Sequence, residues 1–308
     1  MAARRASAAA FFLGAFAAVS GLPAARAQAQ SLPSSSADVR WGRDGAITAA
    51  AVVGATLASM IPVDTTARWQ RQILPADAGL EGTFSQQAAA TSDMLAALDV
   101  LAPLALLVGQ GGGFNAANDR RLLVYDEALA ISVFINAVTK YAVGRPRPYV
   151  YSDDPRLRAY AESEGKDSHL SFFSAHASNT FAASVAGSYL FAQASTDKAA
   201  RAGVWGFELA VAAATARLRT RAGKHFYSDV IVGAIVGAGI GYLTPRLHGG
   251  PALRLSGTEW VVIATAPLAG MAIAQLLPAR RTIMEPLTAV ALPFITPGGG
   301  GMMLTQAF

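Results

Sequence analysis

Apolar residues recur along most of the chain with the spacing of one helix face, not with the alternation of a strand. They fall in six stretches: 46–63, 94–109, 122–139, 177–193, 203–218 and 230–243. Each holds 14 to 18 residues, at or below the length that crosses a bilayer unaided. The pattern predicts an all-α fold, a helical bundle of about six core helices. The breaks between stretches are chemically ordinary. Pro62 and Pro75 lie in the polar segment after the first stretch, and Gly111, Gly112 and Gly113 end the second. Residues 149–170 form a polar connection with Asp153, Asp154, Glu162, Glu164, Lys166 and Asp167; connections of that length are usually functional or mobile. No internal repeat is visible.

Both ends differ from the middle. At the start, Arg4 and Arg5 precede an apolar run over 6–22, Pro23 breaks it, and Ala25-Arg26-Ala27 and Ala27-Gln28-Ala29 fit a small-x-small cleavage site. This layout predicts a signal peptide over 1–29 and export to the periplasm. A helical core is expected over 30–250 and a C-terminal extension over 251–308. In that extension Trp260 to Thr265 is rich in β-branched residues, although 263–277 suits a helix equally. Residues 287–296, a glycine turn at 298–301 and residues 302–308 read as a small β element.

Composition changes this picture in three ways. The chain of 308 residues is 53% hydrophobic and 15% charged, which excludes a disordered polyelectrolyte. The formal charge of +5 counts three leader arginines; without them 22 basic face 20 acidic residues, and no basic run supports nucleic-acid binding. With no cysteine, disulfides, thiol catalysis and Cys-ligated zinc are excluded. Asp99, Asp126, Glu127 and Glu208 lie in or beside the apolar stretches, where lipid would penalise them. Six full spans after a cleaved leader would also turn the segment after the third stretch inward. Both points favour a soluble or peripheral periplasmic bundle, with membrane association left open.

Three clusters carry chemistry. Lys140 to Pro148 closes the third stretch, Ser174-Ala175-His176 opens the fourth, and Arg219, His225 and Asp229 lie between the fifth and sixth. Taken singly, each has a plain structural reading: a basic helix end, a helix cap, a surface ion pair. Together they describe an anion site with two imidazoles. Lys140, Arg147 and Arg219 are cations suited to phosphate oxygens. Ser174 to His176 sits where free amides and the helix dipole attract an anion. His225 and Asp229, four apart, are expected on one helix face, where a carboxylate would fix the tautomer and raise the basicity of the other ring nitrogen. No cluster has metal-ligand spacing, so no metal and no cofactor is expected. His169 reads as a rim residue, and His248 has no partner at useful spacing.

At these residues the chain resembles the type 2 phosphatidic acid phosphatase and vanadium haloperoxidase superfamily, whose pattern is Lys-x6-Arg-Pro, then Pro-Ser-Gly-His, then Ser-Arg-x5-His-x3-Asp. Lys140, Arg147 and Pro148 fit the first element in full. The second reads Phe173-Ser174-Ala175-His176, and the third Leu218-Arg219, then His225, then Asp229. Proline, glycine and the leading serine are replaced; every charged or proton-transferring position is kept. The resemblance covers about 127–243.

The resemblance implies a helical bundle and metal-independent hydrolysis of a phosphate ester, lipid phosphates among the candidates, through a phosphohistidine. His225 would attack phosphorus with Asp229 orienting it. His176 would protonate the leaving oxygen and then activate water. Lys140, Arg147, Arg219, Ser174 and the Ala175 amide would bind the phosphate. Arg145 is a second candidate in the Arg-Pro-Arg-Pro run, and the six-residue spacing favours Arg147. Competing readings are a vanadate-dependent haloperoxidase, a membrane-embedded polyprenyl diphosphate phosphatase and a non-enzymatic phosphate-binding scaffold.

Overall fold

The computed structural model describes residues 39–65, 74–280, 290–296 and 299–305. The proposed leader at 1–29 lies outside them. Eight α-helices are described: α1 (Trp41–Ala58), α2 (Gln86–Gln110), α3 (Ala116–Val143), α4 (Pro155–Ser163), α5 (Ala175–Ala194), α6 (Lys198–Arg221), α7 (Tyr227–Leu247) and α8 (Gly257–Leu276). Residues 39–65 and 74–280 contain no strand. Farther on, the backbones of β1 (Val290–Thr296) and β2 (Gly299–Thr305) pair antiparallel, Val290 opposite Thr305 and Thr296 opposite Gly299. The pairing takes in Gly299 to Gly301, which the sequence pattern assigns to a turn; glycine peptide groups pair like any others.

Six of the eight described helices, all but α1 and α7, start at a capping side chain, which is often well outside the apolar stretches. Ser85 Oγ accepts from the Ala88 amide, so α2 begins eight residues before the predicted 94. Asn115 caps α3 through the amides of Ala117 and Asn118. Gly144, at φ +61°, ends α3 in the left-handed conformation, its N–H donating to the Lys140 carbonyl. Trp260 to Thr265 is helical. Ser256 and Glu259 form a capping box, and the alanines and leucines beyond continue the helix.

α5 lies at the centre, packed against α2, α3, α6 and α7; α1 covers α3, and α8 covers α6. The contact of α7 with α5 is backbone to backbone. Gly233, Gly237 and Gly241 recur every fourth residue, and a Cβ on them would lie 2.7, 2.0 and 2.6 Å from the carbonyl oxygens of Ser174, Ser178 and Ala182. This stripe sets the start of α7 beside the start of α5, where two of the three clusters lie. α8, placed by the sequence in an extension, belongs to the bundle: Gly270 packs on the Ala210 carbonyl.

Residues 149–170 are not an open loop. They hold a Pro148–Tyr151 turn of 3₁₀ helix, α4 and a Gly165–His169 turn. Tyr149 and Leu157 are buried with Phe84, and Tyr160 packs against both rings, tilted on Phe84 and edge-on to Tyr149. The charged residues mask this aromatic core in the sequence.

The expectation of a soluble bundle gives way. α2, the 116–151 run containing α3, α7 and α8 are long and apolar enough to cross a membrane. Large apolar side chains face outward on α1 (Val52, Val53, Leu57), α7 (Ile231, Ile235, Leu243) and α8 (Trp260, Val261, Leu268). An outward apolar surface of that extent suggests a lipid-facing protein. The acids argue less strongly against lipid than their positions suggest. Asp99, Glu127 and Glu208 are buried between helices, and Ser184 Oγ donates to the Asp99 carboxylate and the Glu208 carbonyl; Asp126 is exposed.

Candidate active site

All three clusters meet at one end of the bundle. α3 delivers Lys140 and then, past the Gly144 stop, Arg145 and Arg147. α5 begins there with Ser174 at its N-cap, and α6 ends there with Arg219. Gly223 makes the turn from α6 to His225. Its φ is +70°, and a Cβ would sit 1.7 Å from the Thr83 carbonyl oxygen, so only glycine fits.

His225 is not on a helix face with Asp229, as its spacing suggests, but two residues ahead of α7. Its Nδ1 lies 2.8 Å from the Ser171 carbonyl oxygen and 3.7 Å from the Asp229 carboxylate, so the expected hydrogen bond to the acid is not formed. A carbonyl only accepts; Nδ1 therefore carries the proton and Nε2 presents a lone pair. Asp229 acts one step back. Its carboxylate accepts from the Phe226 amide (2.8 Å), the Ser171 hydroxyl and Arg145, and its backbone carbonyl accepts from the Ser174 amide (3.1 Å). It thus ties the loop bearing the accepting carbonyl to the start of α7.

The two arginines of the Arg-Pro-Arg-Pro run separate cleanly. Arg145 is fully buried, bonded to Asp229, to Ser228 (2.8 Å) and to Asp77 (3.2 Å), with its guanidinium 4.1 Å from the centre of the Phe226 ring. Arg147 bonds the Asp167 carbonyl (2.7 Å) and carboxylate (2.8 Å) and the Lys224 carbonyl (3.2 Å). Its charge acts on His225, as do those of Lys140 and Arg219. Among the described residues Lys140 makes no hydrogen bond or ion pair, and the buried Nε of Arg219 has no partner. The first amides of α5, at Ala175 and His176, have no acceptor within the helix. These are unspent donors around one point, the requirement for binding an oxyanion.

The field of the site follows from these charges. Burial, and then Arg147, Lys140 and Arg219, push His225 well below its ordinary range. Burial and Arg219 bring His176 down to about 4, against the opposing pull of Asp93. Burial raises the Asp167 carboxyl, but Arg147, Lys224 and Lys140 outweigh it and hold the group ionised. Both imidazoles are therefore neutral before an anion arrives.

Several neighbours escape the sequence reading. Asp93 of α2 lies 2.8 Å from His176 Nε2 and accepts from Arg219 (3.1 Å), which also bonds Ser92 (3.1 Å). Lys224 Nζ bonds Tyr160 and Glu164, each at 2.8 Å. Asp77 accepts from the Ser228 hydroxyl (2.7 Å) as well as from Arg145. The apolar stretch starts at Met94, one residue past Asp93; only the Ser85 cap signals that α2 reaches back to include it.

The other histidines lie elsewhere. His169 is buried, its Nδ1 2.9 Å from Ser168 Oγ. His248 has partners that no local spacing reveals: Nε2 lies 3.0 Å from Glu127 and Nδ1 3.7 Å from Asp44. Asp44, Glu127 and His248 are all buried and form the one group among the described residues whose atoms could surround a cation. The imidazole stands between the two carboxylates, one at each nitrogen, and the group lies beyond the far end of α7.

Residues 121–250 are a PAP2 superfamily domain. The PAP2 match holds Lys140, Arg147, Ser174, His176, Arg219, His225 and Asp229, and is consistent with phosphatase activity on a phosphate ester. Asp77, Ser92 and Asp93 lie outside it. No curated protein and no solved structure matches the chain.

Proposed function

We propose that this chain is a metal-independent phosphatase acting on a phosphate monoester with a lipid tail, through a phosphohistidine on His225. The observation that carries the reading is the His225 ring: Nδ1 is held by the Ser171 carbonyl, which leaves Nε2 as a lone pair among Lys140, Arg147 and Arg219. In the first step the Nε2–P bond forms and the bond from phosphorus to the leaving oxygen breaks, while His176 gives that oxygen a proton. In the second, water forms its bond to phosphorus, Nε2–P breaks, and His176 takes the water proton. The three cations, Ser174 and the Ala175 amide hold the equatorial oxygens, where charge gathers in each transition state. Asp229 keeps the Ser171 carbonyl and the start of α7 in register. The outward apolar faces of α7 and α8 support a substrate reached from a membrane. The layout of residues 1–29 supports an exported site.

The test is hydrolysis of p-nitrophenyl phosphate and of a lipid phosphate by detergent-purified protein, with and without EDTA. Activity that survives EDTA, is blocked competitively by vanadate and leaves acid-labile phosphate on the wild type but not on His225→Ala is expected. Activity lost to EDTA and restored by a divalent ion would refute the metal-free mechanism. N-terminal sequencing of the mature chain tests export: a start near Gln28 or Gln30 is expected, and retention of Met1 or Ala2 refutes it.

A further inference from the structure

The phosphate ligands and both imidazoles lie inside 121–250, yet two of them are held by a helix outside it. His176 Nε2 lies 2.8 Å from Asp93 Oδ1, and Arg219 donates to the same oxygen at 3.1 Å and to the adjacent Ser92 hydroxyl at 3.1 Å. Asp93 is neither the cap of α2, which is Ser85, nor bonded within its own helix. Its side chain is 58% exposed and that of His176 28%, so the pair opens toward solvent.

We propose that Asp93 is the positioning residue of the proton-transferring imidazole: its carboxylate accepts a hydrogen bond from Nε2–H of His176 and thereby turns Nδ1 to the leaving-group oxygen. The assignment rests on the phosphatase reading above. A carboxylate is an acceptor only, so Nε2 bears hydrogen whether the ring is neutral or charged. Nδ1, which no group bonds among the described residues, is then the atom that delivers a proton and later collects one from water. In the first step the Nδ1–H bond breaks and the leaving oxygen gains that proton; the Nε2 proton stays between ring and carboxylate. The groups that act on His176 come from three sides. Asp93 of α2 favours the imidazolium; Arg219 of α6 and Lys140 of α3 oppose it. His225 lies beyond, within electrostatic reach. A bound phosphate dianion offsets the two cations, and Asp93 then tips the ring toward its acid form. By sharing one oxygen between His176 and Arg219, Asp93 also fixes the acid relative to the phosphate clamp.

A positioning role in proton transfer shows in how activity depends on the leaving group. An alkyl phosphate needs its oxygen protonated as the bond breaks; p-nitrophenolate leaves almost unaided. Full-length Asp93→Asn, in detergent and with a melting temperature matching wild type, is expected to lose roughly 10- to 100-fold in kcat on an alkyl phosphate and less than about threefold on p-nitrophenyl phosphate. The limb of the pH profile on which activity falls as pH rises is expected to move to lower pH, because the imidazolium loses its counter-charge. Asp93→Glu is expected to restore part of the alkyl-ester activity. Equal losses on the two esters, no loss on either, or an unmoved pH limb would overturn the assignment. A wild type inert toward both esters, with no acid-labile phosphate, would bring down the phosphatase reading itself. A fully active wild type with an ester-blind Asp93→Asn brings down only the role of Asp93.

Discussion

The two ends of α7 each set a histidine near carboxylates, and the contrast between them separates an imidazole held by a backbone carbonyl from one bonded to an acid. At the N-terminal end, His225 gives one nitrogen to a backbone carbonyl, its acid stands off at 3.7 Å, and the surrounding cations repel a proton. At the C-terminal end, about 30 Å away along 21 residues, His248 Nε2 bonds the Glu127 carboxylate at 3.0 Å, and Asp44 stands 3.7 Å from its other nitrogen, as far as Asp229 stands from His225. One ring keeps a lone pair that faces unspent donors. The other is enclosed by acids from α1 and α3 and serves to tie those helices to the end of α7. A nearby carboxylate therefore does not identify a catalytic histidine; what the second nitrogen faces does.

The comparison can be broken most forcefully at His225. His225→Ala is expected to lower kcat about a thousandfold or more, with the folded state retained, whereas His248→Ala keeps turnover within about twofold. Steady-state kinetics on the two variants decides it, and comparable losses would erase the distinction. Arg145→Ala comes next. It leaves Asp229 and Asp77 without their shared cation, so a destabilisation of about 3–5 kcal/mol is expected from denaturant unfolding, with loss of activity as the Ser171 carbonyl and α7 lose register. An unfolding midpoint equal to wild type would show that Asp229 is not held this way.

Smaller effects sharpen the contrast. His248→Ala should cost about 1–3 kcal/mol, since it takes the hydrogen-bond partner from the buried Glu127 carboxylate, while Asp44 keeps the Arg40 amide and Arg43. The pH dependence of stability should come from the active-site end. His176, held at about 4, and His225, held well below 6.5, are neutral in the fold, while their unfolded counterparts take up protons below about 6.5. The unfolded chain thus binds more protons as pH falls. The stability linked to these groups is complete above about 6.5 and is lost progressively as pH drops toward 4. Thermal melts across that range should show this slope in wild type and a flatter one when His176 and His225 are both replaced by glutamine. An unchanged slope would move its origin elsewhere.

Much of this site is legible in the chain itself. Lys140, Arg147, His176, Arg219, His225 and Asp229 stand at spacings that reveal an anion site, because each cluster is local and sits at a helix boundary. The helical class is equally legible, since the apolar period is a property of each segment alone. Helix extent is not. α2 and α3 run past their apolar stretches because caps, not hydrophobicity, end them, and this is how Asp93 comes into the site. The outward apolar surface is also hidden: acids inside apolar stretches look prohibitive until Asp99, Glu127 and Glu208 are seen turned inward.

The order of residues alone marks where cations and imidazoles stand at helix boundaries and shows that helices carry them. What each of these residues bonds on its other side follows from the packing of the helices. It set Arg145 to brace Asp229 and left Arg147 at the cation cluster, gave His225 a carbonyl in place of the acid four residues on, and enclosed His248 between two distant carboxylates. The reason is physical. A residue's type and its near neighbours follow from the order of the chain. The partners of a buried polar atom are chosen across helices, among residues here 54 to 204 positions apart, where only the packing brings them within reach.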